Sequence, residues 1–343
     1  MILTPLMRRR LFLFRQNKRG YGSFWILTLL FILSLFAELL ANDKPFLVRY
    51  DDNWYFPLVQ NYPETLFGGD FETGAYYRDP YVQELVEAKG WMLWPPIRYH
   101  HSTIDFTSPE PAPAAPSDEH ILGTDDQGRD VLARLIYGFR ISMIFGLLLT
   151  AISSVIGIAA GAIQGYAGGW IDLIFQRIIE ILTSLPLLVL IITIASMVTP
   201  GFWTLLGMMV FFMWVFMVDV VRAECLKTRN FDYVMAARAL GVRERIILFR
   251  HVLPNAFVSG LTLMPIVLNL SITSLTALDF LGFGLPPGSP SLGELLQQGK
   301  DNVHAPWLLL PSFFVLTLMM SMLVFIGEAV RDALDPRKTI GER

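Results

Sequence analysis

Long apolar runs are the dominant pattern of this sequence. Six runs have interiors nearly free of Lys and Arg, and they cover residues 24–41, 139–164, 174–198, 202–221, 257–282 and 307–327. About 20 apolar residues are needed for a helix to cross the hydrocarbon core of a bilayer. A helix satisfies its own backbone hydrogen bonds there, as hydrocarbon demands. The pattern therefore predicts an all-α membrane protein with six transmembrane helices.

The composition narrows the class of protein further. The chain has 343 residues, of which 53% are hydrophobic and 17% charged, against about 25% charged in a typical soluble domain. These values argue against a disordered chain, a nucleic-acid-binding module and most ordinary cytosolic enzymes. The single cysteine, Cys225, excludes an intrachain disulfide and a cysteine-cluster metal site. We predict no metal site, no catalytic residue and no cofactor bound by this chain.

Basic residues predict the orientation of the spans. Residues 1–23 carry six basic residues and no acid, so we expect a cytoplasmic N-terminus. Alternation then places residues 42–121 outside the membrane as a periplasmic insertion, and the loop 222–255 inside, together with a cytoplasmic tail at residues 331–343. The first run is interpreted as a membrane anchor, and a cleaved signal peptide is the alternative.

The insertion is predicted to be irregular. It contains no cysteine, so we expect aromatic side chains such as Trp54 and Trp91 to hold it together, or packing against the membrane part. Prolines alternate with alanines at its end, between Pro109 and Pro116, which is typical of an extended linker. This linker separates the insertion from a predicted permease core at residues 122–330.

Three local patterns predict caps and ion pairs. The turn at residues 123–130 has clustered Asp and Gly, but its spacing does not match a calcium-binding loop, and Asp130 suits the N-cap of the next helix. Ser291 begins a capping-box pattern. Asp219 lies three positions before Arg222, a spacing that favours an ion pair on one helix.

Small residues and prolines mark predicted packing and bending sites. Gly157, Gly161 and Gly165 recur every fourth position, which lets the backbone of another helix approach closely in a membrane. Pro186 and Pro265 lie inside predicted spans and should kink them. Such kinks suit either a pore that opens or a static bend, and the prolines alone do not decide between the two.

The loop 222–255 predicts a helix–Gly–helix hairpin. Gly241 suits the left-handed conformation that ends a helix, and Pro254 is expected to end the second helix. Ala236 and Ala237 are small enough to lie in a cleft of a partner protein. The alternative is a basic amphipathic hairpin lying on the bilayer surface, in contact with membrane lipids.

The loop also carries a family resemblance. Residues 236–254 resemble the EAA loop of ABC importer permeases: two alanines, a glycine four positions after the second, and Leu253 and Pro254 twelve and thirteen positions later. Met235 stands where the family usually has Glu. Further motifs at residues 123–130, 137–142, 165–169, 230–255 and 280–284 are similar to the dipeptide/oligopeptide branch, and the insertion resembles that of YejE-like permeases.

The resemblance implies a fold, partners and site residues. It implies a MetI-like transmembrane domain, a second permease subunit forming a heterodimer, cytoplasmic ABC ATPase subunits that use ATP, and a periplasmic solute-binding protein. It implies a coupling helix at residues 233–241, and ATPase-coupling contacts by Tyr233, Ala236, Ala237, Arg238, Leu240, Gly241, Leu253 and Pro254. It also implies import of peptides or peptide-like antibiotics such as microcin C across the bacterial inner membrane. The residues that bind substrate are not identified.

The predicted function is a permease subunit of an ATP-driven importer of peptides. The chain lacks a G-x-x-x-x-G-K-[S/T] phosphate loop, so ATP hydrolysis would take place in a partner. An ion-coupled secondary transporter of peptides is the alternative, weakened because no run of Asp, Glu or His threads the predicted spans at depth. A membrane-anchored receptor is a third hypothesis, although six spans exceed what an anchor needs.

Overall fold

A computed structural model describes residues 5–106, 108, 110–198 and 201–334, and this part of the chain is mostly helical. Its helices are α1 Pro5–Gln16, α2 Lys18–Leu35, α3 Ala37–Leu40, α4 Pro80–Glu87, α5 Val131–Ala167, α6 Gly169–Ser184, α7 Leu187–Ala195, α8 Phe202–Met213, α9 Val215–Thr228, α10 Asp232–Ala239, α11 Glu244–Ile247, α12 Leu253–Phe280, α13 Leu292–Asp301 and α14 Pro306–Leu334. Its strands are β1 Leu47–Tyr50, β2 Asn53–Tyr55 and β3 Gly90–Leu93.

Four helical stretches of the described chain are long and apolar enough to cross a membrane. They are Val131–Ala167, Phe202–Thr228, Glu244–Phe280 and Pro306–Leu334, and the bent pair of α6 and α7 makes a fifth if it is one span. Each extends beyond its predicted apolar run, because polar residues at the ends continue the helix. The predicted first span at 24–41 is instead α2, which ends at Leu35, and the short α3. A sixth crossing therefore stays a prediction, and most of the predicted tail at 331–343 lies outside the described residues.

The two prolines of the predicted spans behave differently. At Pro186 the helix breaks, and α6 and α7 meet at an angle of 74°. The residue before it, Leu185, is extended at φ −97° and ψ 138°, because a proline disfavours the helical conformation of its predecessor. Pro265 lies inside α12, which the structure assigns as one helix from Leu253 to Phe280.

Contacts divide the chain into two units. The helical unit comprises Met1–Leu29, Ser142–Pro286 and Leu316–Arg343, and the mixed unit comprises Leu30–Ile141 and Pro287–Val315.

The glycine face of α5 packs against α9 inside the helical unit. A Cβ atom added at Gly157 would lie 2.5 Å from the Trp214 carbonyl oxygen, and one at Gly161 would lie 2.8 Å from the Val218 carbonyl oxygen. At Gly165 the Arg222 carbonyl oxygen would be 2.5 Å away. Only glycine, which has a hydrogen atom in place of a side chain, lets the two backbones approach so closely at these positions.

The helical unit also corrects one predicted ion pair. Arg222 does not pair with Asp219 on its own helix but with Asp172 on α6, through Nε–Oδ1 and Nη2–Oδ2 distances of 2.5 and 2.7 Å. A planar guanidinium prefers a carboxylate that it can meet with two parallel hydrogen bonds. Asp172 offers that geometry, which the three-residue spacing within one helix does not.

The mixed unit corrects the prediction that the insertion is irregular. Its strands form an antiparallel sheet in the order β2-β1-β3, with Val48 opposite Tyr55 and Met92. A buried cluster of Val48, Tyr50, Phe67, Tyr77, Val82 and Val86 supports the sheet. Of the aromatics expected to hold the insertion together, Tyr55 and Trp94 pack against this cluster, whereas Trp54 is 51% exposed and Trp91 41% exposed. Alternation of side chains along a short strand decides which aromatic residues are buried.

The turn before α5 confirms its predicted capping role. Asp130 Oδ1 accepts a hydrogen bond of 2.7 Å from the Ala133 backbone N–H. Ser291 caps α13 in the same way, accepting from Gly293 and Glu294 backbone N–H groups. The end of the Pro/Ala linker is packed rather than free, because the Ala114 N–H donates to the Thr124 hydroxyl at 2.8 Å. Pro109 of the linker lies outside the described residues.

Candidate functional site: the hairpin at residues 232–252

The hairpin consists of α10, the turn at Gly241, α11 and a π-helical turn at Leu248–Val252. Phe231 is the N-cap of α10, and Asp232 lies in the first turn. Its negative charge interacts favourably there with the positive end of the helix dipole. The hairpin thus begins one residue before the predicted coupling helix at 233–241. It is flanked by α9 and α12 of the helical unit.

The turn of the hairpin requires glycine. Gly241 has φ +75°, its N–H donates to the Arg238 carbonyl at 3.0 Å, and the Val242 N–H donates to the Ala237 carbonyl at 3.1 Å. This pattern ends a helix with a left-handed residue, and the prediction for Gly241 is confirmed. Apart from Gly241 and its two chain neighbours, no atom of the described residues lies within 4 Å of a Cβ added there, so backbone conformation and not space excludes a side chain.

One face of the hairpin is buried. Val234 is fully buried in a cluster with Cys225 of α9, Ile247, Val252 and Ala256, and Ala237 packs against the same cluster. This cluster joins the hairpin to both neighbouring helices.

The opposite face is exposed. Leu240 is 83% exposed, Met235 50% and Tyr233 45%, and Ala236 is exposed beside them. Leu240 lies outside the buried cluster of Val234, because α10 ends at Ala239. An exposed apolar surface of this kind is typical of a protein–protein contact.

A polar network links the hairpin to the end of α5. Glu244 accepts hydrogen bonds from Arg238, at 2.9 and 3.2 Å, and from the Tyr166 hydroxyl. The hydrogen bonds that Arg238 donates to Glu244 and to the Tyr166 hydroxyl raise the pKa of its guanidinium. The Arg229 guanidinium, which precedes the hairpin, donates to the carbonyls of Gly165 and Tyr166 at 3.3 Å each. Sequence reasoning missed Tyr166 and Glu244, since their 78-residue separation leaves no local signal.

The end of the hairpin runs directly into α12. The Tyr233 hydroxyl donates to the His251 carbonyl at 3.4 Å and accepts from the Asn255 amide at 3.0 Å. Pro254 was expected to end the second helix, and this is wrong: Leu253 and Pro254 are the first residues of α12. A proline is tolerated in the first turn, where its missing N–H costs little.

Comparison with known proteins places these elements in a family. Residues 153–340 match the model of the family described as "Binding-protein-dependent transport system inner membrane component". This match includes the hairpin, α9 and α12.

Several curated proteins are similar to the chain. It is 56% identical over 338 residues to the inner membrane ABC transporter permease protein YejE of Escherichia coli (strain K12), covering 98% of this chain and 99% of the relative. It is 52% identical to the peptidoglycan transport system permease protein YejE of Agrobacterium fabrum, covering 98% and 94%. It is 34% identical to the oligopeptide transport system permease protein OppC of Bacillus subtilis, covering 70% and 78%.

Proposed function

The chain belongs to the family of binding-protein-dependent transport system inner membrane components, and on that premise we propose that it imports peptides or peptide-like compounds, driven by ATP hydrolysis in partner subunits. Its apolar helices and inner-membrane relatives make it a multi-pass membrane permease subunit. The name of the oligopeptide permease supports peptides as cargo, and another relative is named for peptidoglycan transport.

The observation that carries the proposal is the two-faced hairpin. Its buried face, through Val234, contacts the cluster that includes residues of α9 and α12, and its exposed face presents Met235 and Leu240. We infer that the exposed face docks in a cleft of a cytoplasmic ATPase subunit. Rearrangement of that subunit would then move α9 and α12 and switch the transport path between two states.

The partners and orientation follow from the same proposal. A second permease subunit completes the transport path as a heterodimer, and a periplasmic solute-binding protein delivers the cargo. The hairpin and both termini face the cytoplasm, which the basic residues of 1–23 and of the hairpin support. Residues 42–121 then face the periplasm.

The test is Gly241→Val in the complete importer, reconstituted in vesicles with its partner subunits. At φ +75°, a β-branched residue pays about 1–2 kcal/mol for the left-handed conformation. We expect peptide uptake and the ATPase stimulation by loaded binding protein to fall together, by roughly tenfold.

Gly241→Asn is the matched control, because asparagine tolerates the left-handed conformation. It should keep most of the uptake. Unchanged coupling in the valine variant would refute the role of the hairpin. Uptake that persists without ATPase subunits and collapses with an ionophore would instead indicate the ion-coupled transporter.

A further inference from the structure

A cavity of about 510 Å³ lies beside the break in the bent helix pair of the helical unit. Its walls come from the end of α6, from Leu185 and Pro186, and from Phe212, Phe216 and Asp219 of the stretch Phe202–Thr228. Its volume falls within the range of about 300–1,000 Å³ that is typical of small-molecule sites.

Asp219 is the charged residue among those that line the cavity. Its side chain is exposed, although it belongs to a helical stretch apolar enough to cross a membrane. The nearest candidate cation on its helix, Arg222, is held by two hydrogen bonds to Asp172. Within residues 5–106, 108, 110–198 and 201–334, the Asp219 carboxylate has no hydrogen bond and no ion pair within 4 Å, and its charge acts on Arg222 only at longer range. Ionisable groups in membrane spans are costly and are typical of functional sites.

The surroundings of the carboxylate favour an organic cation. The carboxyl end of α6 carries a partial negative charge, which the hydroxyls of Thr183 and Ser184 offset only in part by donating to carbonyls of the last turn. Phe212 and Phe216 offer aromatic faces, which attract ammonium groups. An inorganic cation prefers several oxygen ligands, whereas Asp219 supplies the one carboxylate among the described residues that line the cavity. A primary ammonium group matches one carboxylate beside aromatic walls.

We propose that Asp219 binds the positively charged amino terminus of the transported peptide at this cavity. The proposal rests on the proposed function, since it takes peptides as the cargo. It assigns a cargo contact to the broken span, so that the helix break at Pro186 creates a binding site as well as a bend.

The experiment compares Asp219→Asn with the wild type in the complete reconstituted importer. Uptake is measured below saturation for a tripeptide with neutral side chains, with a free amino terminus or N-acetylated. We expect uptake of the free peptide to fall about tenfold in the variant, since the neutral amide no longer pairs with the ammonium group. Uptake of the acetylated peptide should stay within about twofold of wild type. For each peptide, uptake by the variant is divided by uptake by the wild type. The preference of the binding protein for one of the peptides therefore cancels from the ratio.

Three further variants make the result decisive. Asp219→Glu keeps the charge and should retain most of the uptake of the free peptide, and Asp219→Ser repeats the test where the asparagine variant assembles poorly. Glu180→Gln removes an acid of α6 that pairs with Arg177 outside the cavity, and it should leave both peptides unaffected.

The outcomes separate this proposal from the proposed function. If the wild type imports peptides but Asp219→Asn reduces the uptake of both peptides equally, or of neither, the ammonium site is overturned. The proposed function is then unaffected. A dependence of uptake on sodium or potassium that disappears in the variant would identify an inorganic cation and also overturn it. Import of neither peptide by the wild-type complex refutes the proposed function, and the site with it.

Discussion

Two charged networks of this molecule use the same chemistry in opposite surroundings. In the mixed unit, the turn network joins Asp125, Arg129, Arg134 and Glu294. The Arg134 Nη2–Glu294 Oε2 distance is 2.8 Å, and the guanidinium of Arg129 lies 2.6 Å from Asp125. Both arginine side chains there are at most 2% exposed. In the helical unit, the hairpin network joins Tyr166, Arg238 and Glu244, and the side chains of that ion pair are 47% and 57% exposed.

Burial of the ion pairs determines where charge fixes the structure and where it does not. A buried ion pair leaves an uncompensated charge in a medium of low polarity when one partner is removed. An exposed pair is replaced by water at little cost. The turn network therefore holds the start of α5 and α13 in one arrangement, while the hairpin is held chiefly by Val234 and its apolar neighbours. On the proposed function, the hairpin responds to a partner subunit, and attachment by apolar contacts with an exposed ion pair suits that role.

The largest expected effect is that of Arg134→Met. This change leaves Glu294 with one arginine fewer and Asp125 without its neighbour at 3.4 Å. We expect a loss of about 3 kcal/mol of stability, because the Asp125 carboxylate stays fully buried and Glu294 stays only 21% exposed. The measurement is the apparent melting temperature of the purified protein in detergent.

Arg177→Met is the control for Arg134→Met, since the ion pair of Arg177 with Glu180 is 78% and 56% exposed. It should change the melting temperature very little. Equal effects of the two substitutions would mean that burial does not distinguish the networks.

Local signals explain what could be predicted from the sequence. Asp130, Ser291 and Gly241 act through backbone groups within about four positions, so the residue types alone indicate the cap or the turn. The glycines of α5 were predictable for a related reason, because a repeat every fourth position defines one helix face.

Long-range contacts explain what could not be predicted. Glu294 lies 165 positions from Arg129, and Arg222 chooses Asp172 over a nearer acid, so only the folded geometry decides the partner. The strands of the insertion are three or four residues long, too short for alternation to be distinguished from chance. The cavity at Asp219 depends on the direction of a helix break, which a proline predicts only as a bend.

A smaller effect is expected from the titration of two histidines in the mixed unit. Burial alone would lower the pKa of His120, but hydrogen bonds to Asp130 at 2.8 Å and Asp105 at 3.1 Å outweigh it and raise the pKa. Burial, helped by the charge of the nearby His100, lowers the pKa of His101 to about 3.

The two shifts give opposite pH dependences. The folded state binds the His120 proton more tightly than the unfolded state, so this stabilisation is full below about pH 6.5 and is lost as the pH rises through the raised pKa. His101 stays neutral when folded, so its stabilisation is present above about pH 6.5 and is lost as the pH falls towards 3.

The measurement is the apparent melting temperature between pH 5 and 9. The wild type should lose about 2 °C of apparent melting temperature on the alkaline side, and this loss should be absent in His120→Gln. A comparable loss on the acid side should be absent in His101→Gln. The same pH profile in both variants and in the wild type would show that neither histidine is coupled to folding.

The smallest expected effect is that of Arg238→Met, which removes the centre of the hairpin network. Its guanidinium and its partner are largely exposed, so water replaces the lost hydrogen bonds, and the apparent melting temperature should fall by no more than about 1 °C.

Val234→Ala, in the same helix, removes a fully buried side chain and should cost about 2 kcal/mol. The comparison isolates the apolar anchor, because both residues belong to α10 and differ in burial. A larger loss for Arg238→Met than for Val234→Ala would mean that exposed charge holds the hairpin, and the contrast between the two networks would then fail. The expected order leaves the hairpin attached to α9 and α12 by its buried face, with the exposed Met235 and Leu240 on the opposite face.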